Sequence, residues 1–160
     1  MRETGSRGGF PVVVPFVDHL GARLLSCAEG ASHVELDLAP HHCNSFGVAH
    51  GGVLMTLLDV AMAHAARSLH AGEPDHGPGV VTIEMKTSFM RPGEGRLSAQ
   101  ARLLHRSATL AFCEGSVFGA DGHLCAHATA TFKYLRKLPT QGRGAKPLRQ
   151  RNPDATEKKP

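Results

Sequence analysis

Val34, Leu36 and Leu38 alternate with His33, Glu35 and Asp37, the period-two pattern of a half-buried strand. With the run just before it, joined through Glu29-Gly30-Ala31, this predicts a hairpin of two short strands over 22–29 and 32–38. Pro, Asn, Ser and Gly then mark Pro40 to Val48 as a loop. From Gly51 to about Leu69 the chain is built from Ala, Leu and Met, with no Pro and no Gly beyond Gly52, which predicts one long helix. Apolar residues fall on nearly every side of it, so the expectation is burial on most faces. A membrane span is disfavoured because Asp59 at mid-segment would cost about 2.5–3.5 kcal/mol, and His64 and Arg67 follow.

Four strand-like runs follow the Gly- and Pro-rich break at 71–79. Val81, Ile83, Met85, Thr87 and Phe89 share one face of the first, and Leu97, Ala99, Ala101 and Leu103 one face of the second. The third covers 108–118, and Asp121-Gly122 turns into a fourth in which residues from Leu124 to Tyr134 alternate. Two strands, a long helix and four strands joined by short turns specify an α+β plan, an antiparallel sheet wrapped around one central helix.

A length of 160 residues suits one domain. The division expected is a flexible segment over 1–15, a folded domain over 16–136 and a disordered basic tail over 137–160. Charge changes the picture only when it is divided along the chain. Arg136 to Pro160 holds eight basic and two acidic residues, net +6, so residues 1–135, with ten basic and twelve acidic, carry −2. The overall +4 therefore describes a tail, and with no Trp and one Tyr it argues against a nucleic-acid-binding domain. No basic start with a 7–15-residue apolar run opens the chain, which points to the cytoplasm. The four cysteines form no CxxC pair, and His41, His42 and Cys43 have no spaced partner, so no metal site is expected.

The chemistry concentrates in Asn44-Ser-Phe-Gly47-Val-Ala-His50-Gly51-Gly52 and, seven residues on, Asp59. Two glycines opening a helix leave backbone N–H groups that a substrate oxygen can approach closely, at the positive end of the helix dipole. A carboxylate within an apolar helix must be repaid by a partner or a function. At ~1.5 Å per residue, Gly51 and Asp59 lie about 12 Å apart along the helix. They can act on one carbonyl only if Asp59 comes from a second chain whose helix runs antiparallel, which places the site at a two-fold dimer interface.

With Asn44, Gly47, His50, Gly51, Gly52 and Asp59 in register, the chain resembles the hotdog-fold acyl-CoA thioesterases, specifically the phenylacetate-pathway (PaaI-like) branch. The resemblance covers roughly Phe16 to Tyr134 and includes Leu20-Gly21 and the Arg91-Pro92 turn. It implies hydrolysis of an aromatic or medium-chain acyl-CoA to free acid and CoA. The Gly51 N–H would polarise the thioester carbonyl, and Asp59 of the partner chain would be nucleophile or general base. Asn44 would orient the attacking group or the sulfur, His50 would support the loop, and Thr82 would hold the water or Asp59. No cofactor is implied beyond coenzyme A as part of the substrate, and the implied assembly is a homodimer, or a dimer of dimers.

Phosphates of coenzyme A usually meet basic side chains, and Arg91 and Arg106, each beside a turn, are the candidates. The acyl pocket would draw on Gly52, Phe46, Met55, Leu58, Met62 and Phe89, a flexible apolar set that core packing explains equally well. The alternative class is a non-catalytic hotdog protein that binds acyl-CoA or scaffolds a complex, which has no need of Asp59. G-x-S-x-G is absent, against a serine hydrolase.

Overall fold

The structure, a computed structural model, describes residues 9–73 and 77–135. The elements are α1 (Pro15–Leu20), β1 (Arg23–Ala28), β2 (Ala31–Asp37), α2 (Gly51–Arg67), β3 (Gly79–Phe89), β4 (Arg96–Arg106), β5 (Leu110–Phe118) and β6 (Leu124–Leu135). The strands form one antiparallel sheet in the order β1-β2-β4-β5-β6-β3, with α2 packed on one face. This is the layout the alternation predicts. The first alternating runs pair as a hairpin, and α2 continues into a 3₁₀ turn at Ser68–His70 that ends near the expected boundary.

Val34, Leu36, Leu97, Ala99, Val117, Ala126 and Phe132 on the sheet close over Leu57, Leu58, Ala61, Met62 and Ala65 of the helix, all at 1% exposure or less. Each large aliphatic side chain so buried contributes about 1.5–3 kcal/mol. Small residues in β6 (Ala126, Ala128, Ala130) bring the sheet close to α2, and at Gly115 an added Cβ would stand 3.2 Å from Met62 Cγ. Two polar groups tie the layers directly: Ser32 Oγ donates to Ala61 O at 2.6 Å, and the Tyr134 hydroxyl to Ala66 O at 2.9 Å.

The helix is not buried on every side. Gly52 and Met55 are exposed and Thr56 and Asp59 half-buried, an i, i+3, i+4, i+7 stripe left open in the single chain. Residue type conceals this stripe, because Met and Gly read as apolar whichever way they face.

The expected inward face of β3 is also interrupted. Thr82 pairs with Phe132 and Glu84 with Thr131, leaving Ile83 as the extra residue of a bulge. Val80, Thr82, Met85, Thr87 and Phe89 thus face α2, while Val81 and Ile83 are 42% and 56% exposed on the sheet edge.

The folded chain begins before residue 16. Phe10 and Val12 are buried at 3% and 4%, and Pro15–Leu20 forms α1, closed by Gly21 at φ +76°. Phe10 packs edge-on against His64, ring centroids 5.0 Å apart. His64 Nδ1 donates to Val60 O at 2.8 Å, and burial pushes its pKa down to about 4. The expected basic tail over 137–160 lies outside the described residues. No described helix is long and apolar enough to cross a membrane.

Candidate active site

The 44–50 loop is stabilised largely by its own bonds. Asn44 N–H donates to Val48 O at 2.9 Å and Gly47 N–H to Asn44 O at 3.0 Å, with Gly47 at φ +76°. The Asn44 side chain accepts from Phe46 N–H at 2.9 Å, a bond that fixes the amide and leaves its NH₂ as a donor. Ala49 N–H to Gly93 O (2.9 Å) and His50 N–H to His42 O (2.8 Å) anchor the loop to its surroundings.

His50 is the N-cap of α2. Its Nδ1 accepts from Gly52 N–H at 2.9 Å, and its carbonyl from Val53 and Leu54 N–H. Of the first N–H groups of the helix, only that of Gly51 has no partner among the described residues. With Nδ1 accepting, a neutral ring carries its proton on Nε2. A Cβ added at Gly52 would lie 3.1 Å from His50 Nδ1, a tight contact to which the capping ring would have to yield.

Two turns further, Thr82 Oγ1 donates to Asp59 Oδ1 at 2.6 Å. The other carboxylate oxygen has no bond among the described residues. A bulge at Ile83 lets the strand present Thr82 to the helix while Met85 to Phe89 keep the same facing.

A cleft of about 360 Å³ opens at the helix start, with Asn44, Gly51, Leu54, Phe89, Arg91 and Gly93 among its lining. The structure thus brings together Asn44, Gly51, Phe89 and Arg91, with His50 and Gly52 adjoining in the chain. The pair Asp59–Thr82 stands apart from them along α2. Phe46 at 87% and Met55 at 38% exposure are open to solvent.

Leu58 and Met62, expected in an acyl pocket, are at 0% exposure in the core beneath the sheet, so they support the site from behind rather than line it. Arg106 closes β4 near Thr109 and Tyr134, and Tyr134 bonds the C-terminal turn of α2, the end opposite the cleft. Leu54 and Gly93 were not anticipated, although both neighbour motif residues; a Cβ at Gly93 would meet Leu97, Ala49 and Leu54 within 3.4 Å. Among the described residues no group of three or more His, Cys, Asp or Glu is arranged to hold a metal. His42 is buried, its Nδ1 accepting from Ala39 N–H, and burial lowers its pKa.

The family model described as the thioesterase superfamily matches residues 46–126, from the loop to the start of β6. Acyl-coenzyme A thioesterase 13 of Pongo abelii is 30% identical over 128 residues, covering 78% of both chains. A conserved protein from Pseudomonas aeruginosa is 31% identical, with a TM-score of 0.72 over 78% of this chain and 97% of that one. The PaaI protein of the E. coli phenylacetic acid degradation operon shares the fold, with a TM-score of 0.69 over 77% of this chain and 86% of that one at 22% identity. An antiparallel sheet closed over a helix that begins with His-Gly-Gly, matched by that model over half the chain, makes this protein a member of the thioesterase superfamily and a thioester hydrolase of the hotdog fold.

Proposed function

We propose that the protein hydrolyses acyl-CoA thioesters at two equivalent sites, each built across a two-fold dimer interface. The observation that carries this reading is the sorting of N–H groups at the start of α2, where His50 engages Gly52 and leaves the Gly51 N–H available. That N–H donates to the thioester oxygen, and its bond strengthens as the oxygen becomes an oxyanion. The Asn44 NH₂, held by the Phe46 bond, orients the thioester beside it.

Asp59 of a second copy supplies the base. Its carboxylate takes a proton from water as the water oxygen bonds the carbonyl carbon. Collapse of the tetrahedral intermediate breaks the C–S bond, coenzyme A leaves as thiolate and takes up the proton, and the acid is released. Direct attack by Asp59, with an anhydride then hydrolysed by water, uses the same groups. No cofactor enters either route.

The 12 Å spacing and two open surfaces support a shared site. The stripe Gly52-Met55-Thr56-Asp59 on α2 and the exposed apolar edge of β3, Val81 and Ile83, adjoin one another. An antiparallel second copy that pairs along β3 covers both and removes an unprotected edge. Phe46, Met55 and Phe89 then form an apolar wall suited to aromatic or medium-chain acyl groups, and Arg91 on the cleft faces the phosphates.

The test is thiol release from a panel of aromatic and straight-chain acyl-CoA substrates, with Asp59→Asn as control. Turnover of at least one substrate that falls 10²-fold or more in the variant is expected; wild-type turnover in Asp59→Asn would remove Asp59 from the mechanism.

A further inference from the structure

Arg91 is the one charged side chain that lines the cleft among the described residues, and it is exposed. Coenzyme A brings a pyrophosphate and a 3′-phosphate, about four negative charges, and its pantetheine arm carries them out of the cleft, away from the thioester. A single guanidinium in water is a poor match for that charge. Elsewhere Arg23 and Arg96 are paired with Asp37, and Arg102 with Glu114; Lys86, on the strand that leads to the cleft, faces away from α2. Residues 1–135 carry a net −2, whereas residues 136–160 hold eight basic and two acidic side chains, net +6. The positive surplus of the chain thus follows directly on β6.

Where β6 ends decides which cleft that charge can serve. Leu135 pairs with Gly79, at the end of β3 remote from Phe89. β3 is 11 residues long, and at ~3.3 Å per residue its two ends lie about 33 Å apart, so β6 leaves the sheet far from its own cleft. A second copy reverses this. Phe89 marks Gly51, whose added Cβ would lie 3.5 Å from Phe89 Cε1, and Thr82 marks Asp59 through their hydrogen bond. A site that joins Gly51 of one copy to Asp59 of the other therefore sets Phe89 of one β3 opposite Thr82 of the second copy. Antiparallel counting then sets Arg91 opposite Val80, and Pro92 opposite Gly79, of the second copy. There β6 is the next strand, with Tyr134 beside Val80 and Leu135 beside Gly79. Two strand spacings of ~4.8 Å put the end of that β6 about 10 Å from the Arg91-Pro92 turn, a gap that about three extended residues span.

We propose that residues 136–160 of one copy bind the phosphates of the acyl-CoA held in the cleft of the other, with Arg143, Lys146, Arg149 and Arg151 adding their charge to that of Arg91. The copy that lends Asp59 to a site lends its tail to the same site, so the inference rests on the shared site proposed above. Each exposed contact is weak and screened by salt, and affinity comes from their number. The phosphates keep their charge while the C–S bond breaks, so the contribution is to substrate binding and not to the chemical step. An anionic membrane also attracts a basic segment, but gives no reason for that segment to leave the fold beside the cleft of the second copy.

The experiment compares the full wild-type chain with a full chain carrying Arg143→Gln, Lys146→Gln, Arg149→Gln and Arg151→Gln. Each is assayed on the best acyl-CoA of the panel and on the N-acetylcysteamine thioester of the same acid, which has no phosphate. KM for the acyl-CoA is expected to rise roughly tenfold at unchanged kcat, while kcat/KM for the phosphate-free thioester stays within about twofold. Replacing the three arginines by lysine keeps the charge and the wild-type KM. An unchanged KM for the acyl-CoA, including the case in which only binding to phosphatidylserine vesicles is lost, overturns the proposal, as does an equal loss on both substrates. Mixed dimers identify the copy that acts. With Gly51→Pro in one chain and Asp59→Asn in the other, the four changes raise KM only when they sit in the Gly51→Pro chain, which supplies Asp59 to the intact site; a rise from the other chain overturns the assignment. Calorimetric titration of both full chains with coenzyme A alone reads the contact without turnover. Tighter binding by wild type, in a protein that cleaves no thioester, would sink the hydrolytic reading and leave the phosphate contact standing.

Discussion

Thr82 Oγ1 lies 2.6 Å from Asp59 Oδ1, a hydrogen bond from an edge strand to a helix 23 residues away in sequence. The hydroxyl proton is committed to one carboxylate oxygen, so the proposed mechanism leaves the other to take a proton from the substrate water. Substituting Thr82→Val keeps the shape and removes the donor. The lost bond, about 1.4 kcal/mol, lowers kcat roughly tenfold with little change in KM. Combined with Asp59→Asn it adds no further loss, since the two act as one unit, and steady-state kinetics on the four proteins check this.

Gly51→Pro isolates the backbone donor. Proline is tolerated at the first position of a helix, and His50, at φ −61° and ψ 139°, already has the extended conformation that a residue before proline requires. The added Cβ falls at ordinary contact distance, 3.5 Å from Phe89 Cε1. Thermal stability is therefore expected to hold while kcat falls 10²–10³-fold, the usual loss for one oxyanion donor. A variant that unfolds less than a few degrees below wild type yet keeps its turnover would show that the N–H does not act.

Mixing chains tests the shared site. Gly51→Pro and Asp59→Asn are each inactive alone, but a mixed dimer holds one site with both groups intact. After co-refolding in equal amounts about a quarter of wild-type activity returns, because half the dimers are mixed and each has one good site of two. No recovery would place Gly51 and Asp59 of one chain in the same site.

His50→Ala removes the acceptor for Gly52 N–H and costs about 1 kcal/mol of stability, leaving a second unpaired N–H at the helix start. His50→Asn restores a capping acceptor and most of the melting temperature. Denaturant midpoints of the two variants separate the structural contribution of the ring from any contribution to kcat.

His64 sets an acid limit on the fold. Burial holds its folded pKa at about 4, below the ~6.5 of the unfolded chain. Between those values the unfolded state binds the extra proton, so stability is full above pH 6.5 and declines as pH falls toward 4, by about 3 kcal/mol in all. Urea unfolding at pH 7 and pH 4.5 measures the decline, and His64→Leu flattens that part of the profile.

The sheet and the helix were legible because alternation and the Pro-free Ala, Leu and Met run are local signals, and both survive in the fold. Asn44, Gly51, Phe89 and Arg91 meet in one cleft because the helix start and the end of β3 adjoin. Three features escaped. Phe10 and Val12 join the core from a segment with no periodicity. Leu58 and Met62 share a helix with Met55 but face the sheet, and a helix apolar on most sides does not declare which face is which. The strand over 81–89 looked regular because five residues alternate correctly, and a bulge changes the phase without changing composition.

That bulge also gives β3 a tolerance of one residue in length. Deleting Ile83 joins Thr82 to Glu84 in an unbroken ladder, and both Thr82 and Phe89 keep the facing they have now. Deleting a residue anywhere from Lys86 to Ser88 instead turns one part of the strand over, which separates the carboxylate holder from the wall of the cleft. Length variation in this strand is therefore harmless at one point and disabling a few residues later, so an alignment gap at 83 carries a different meaning from a gap at 87.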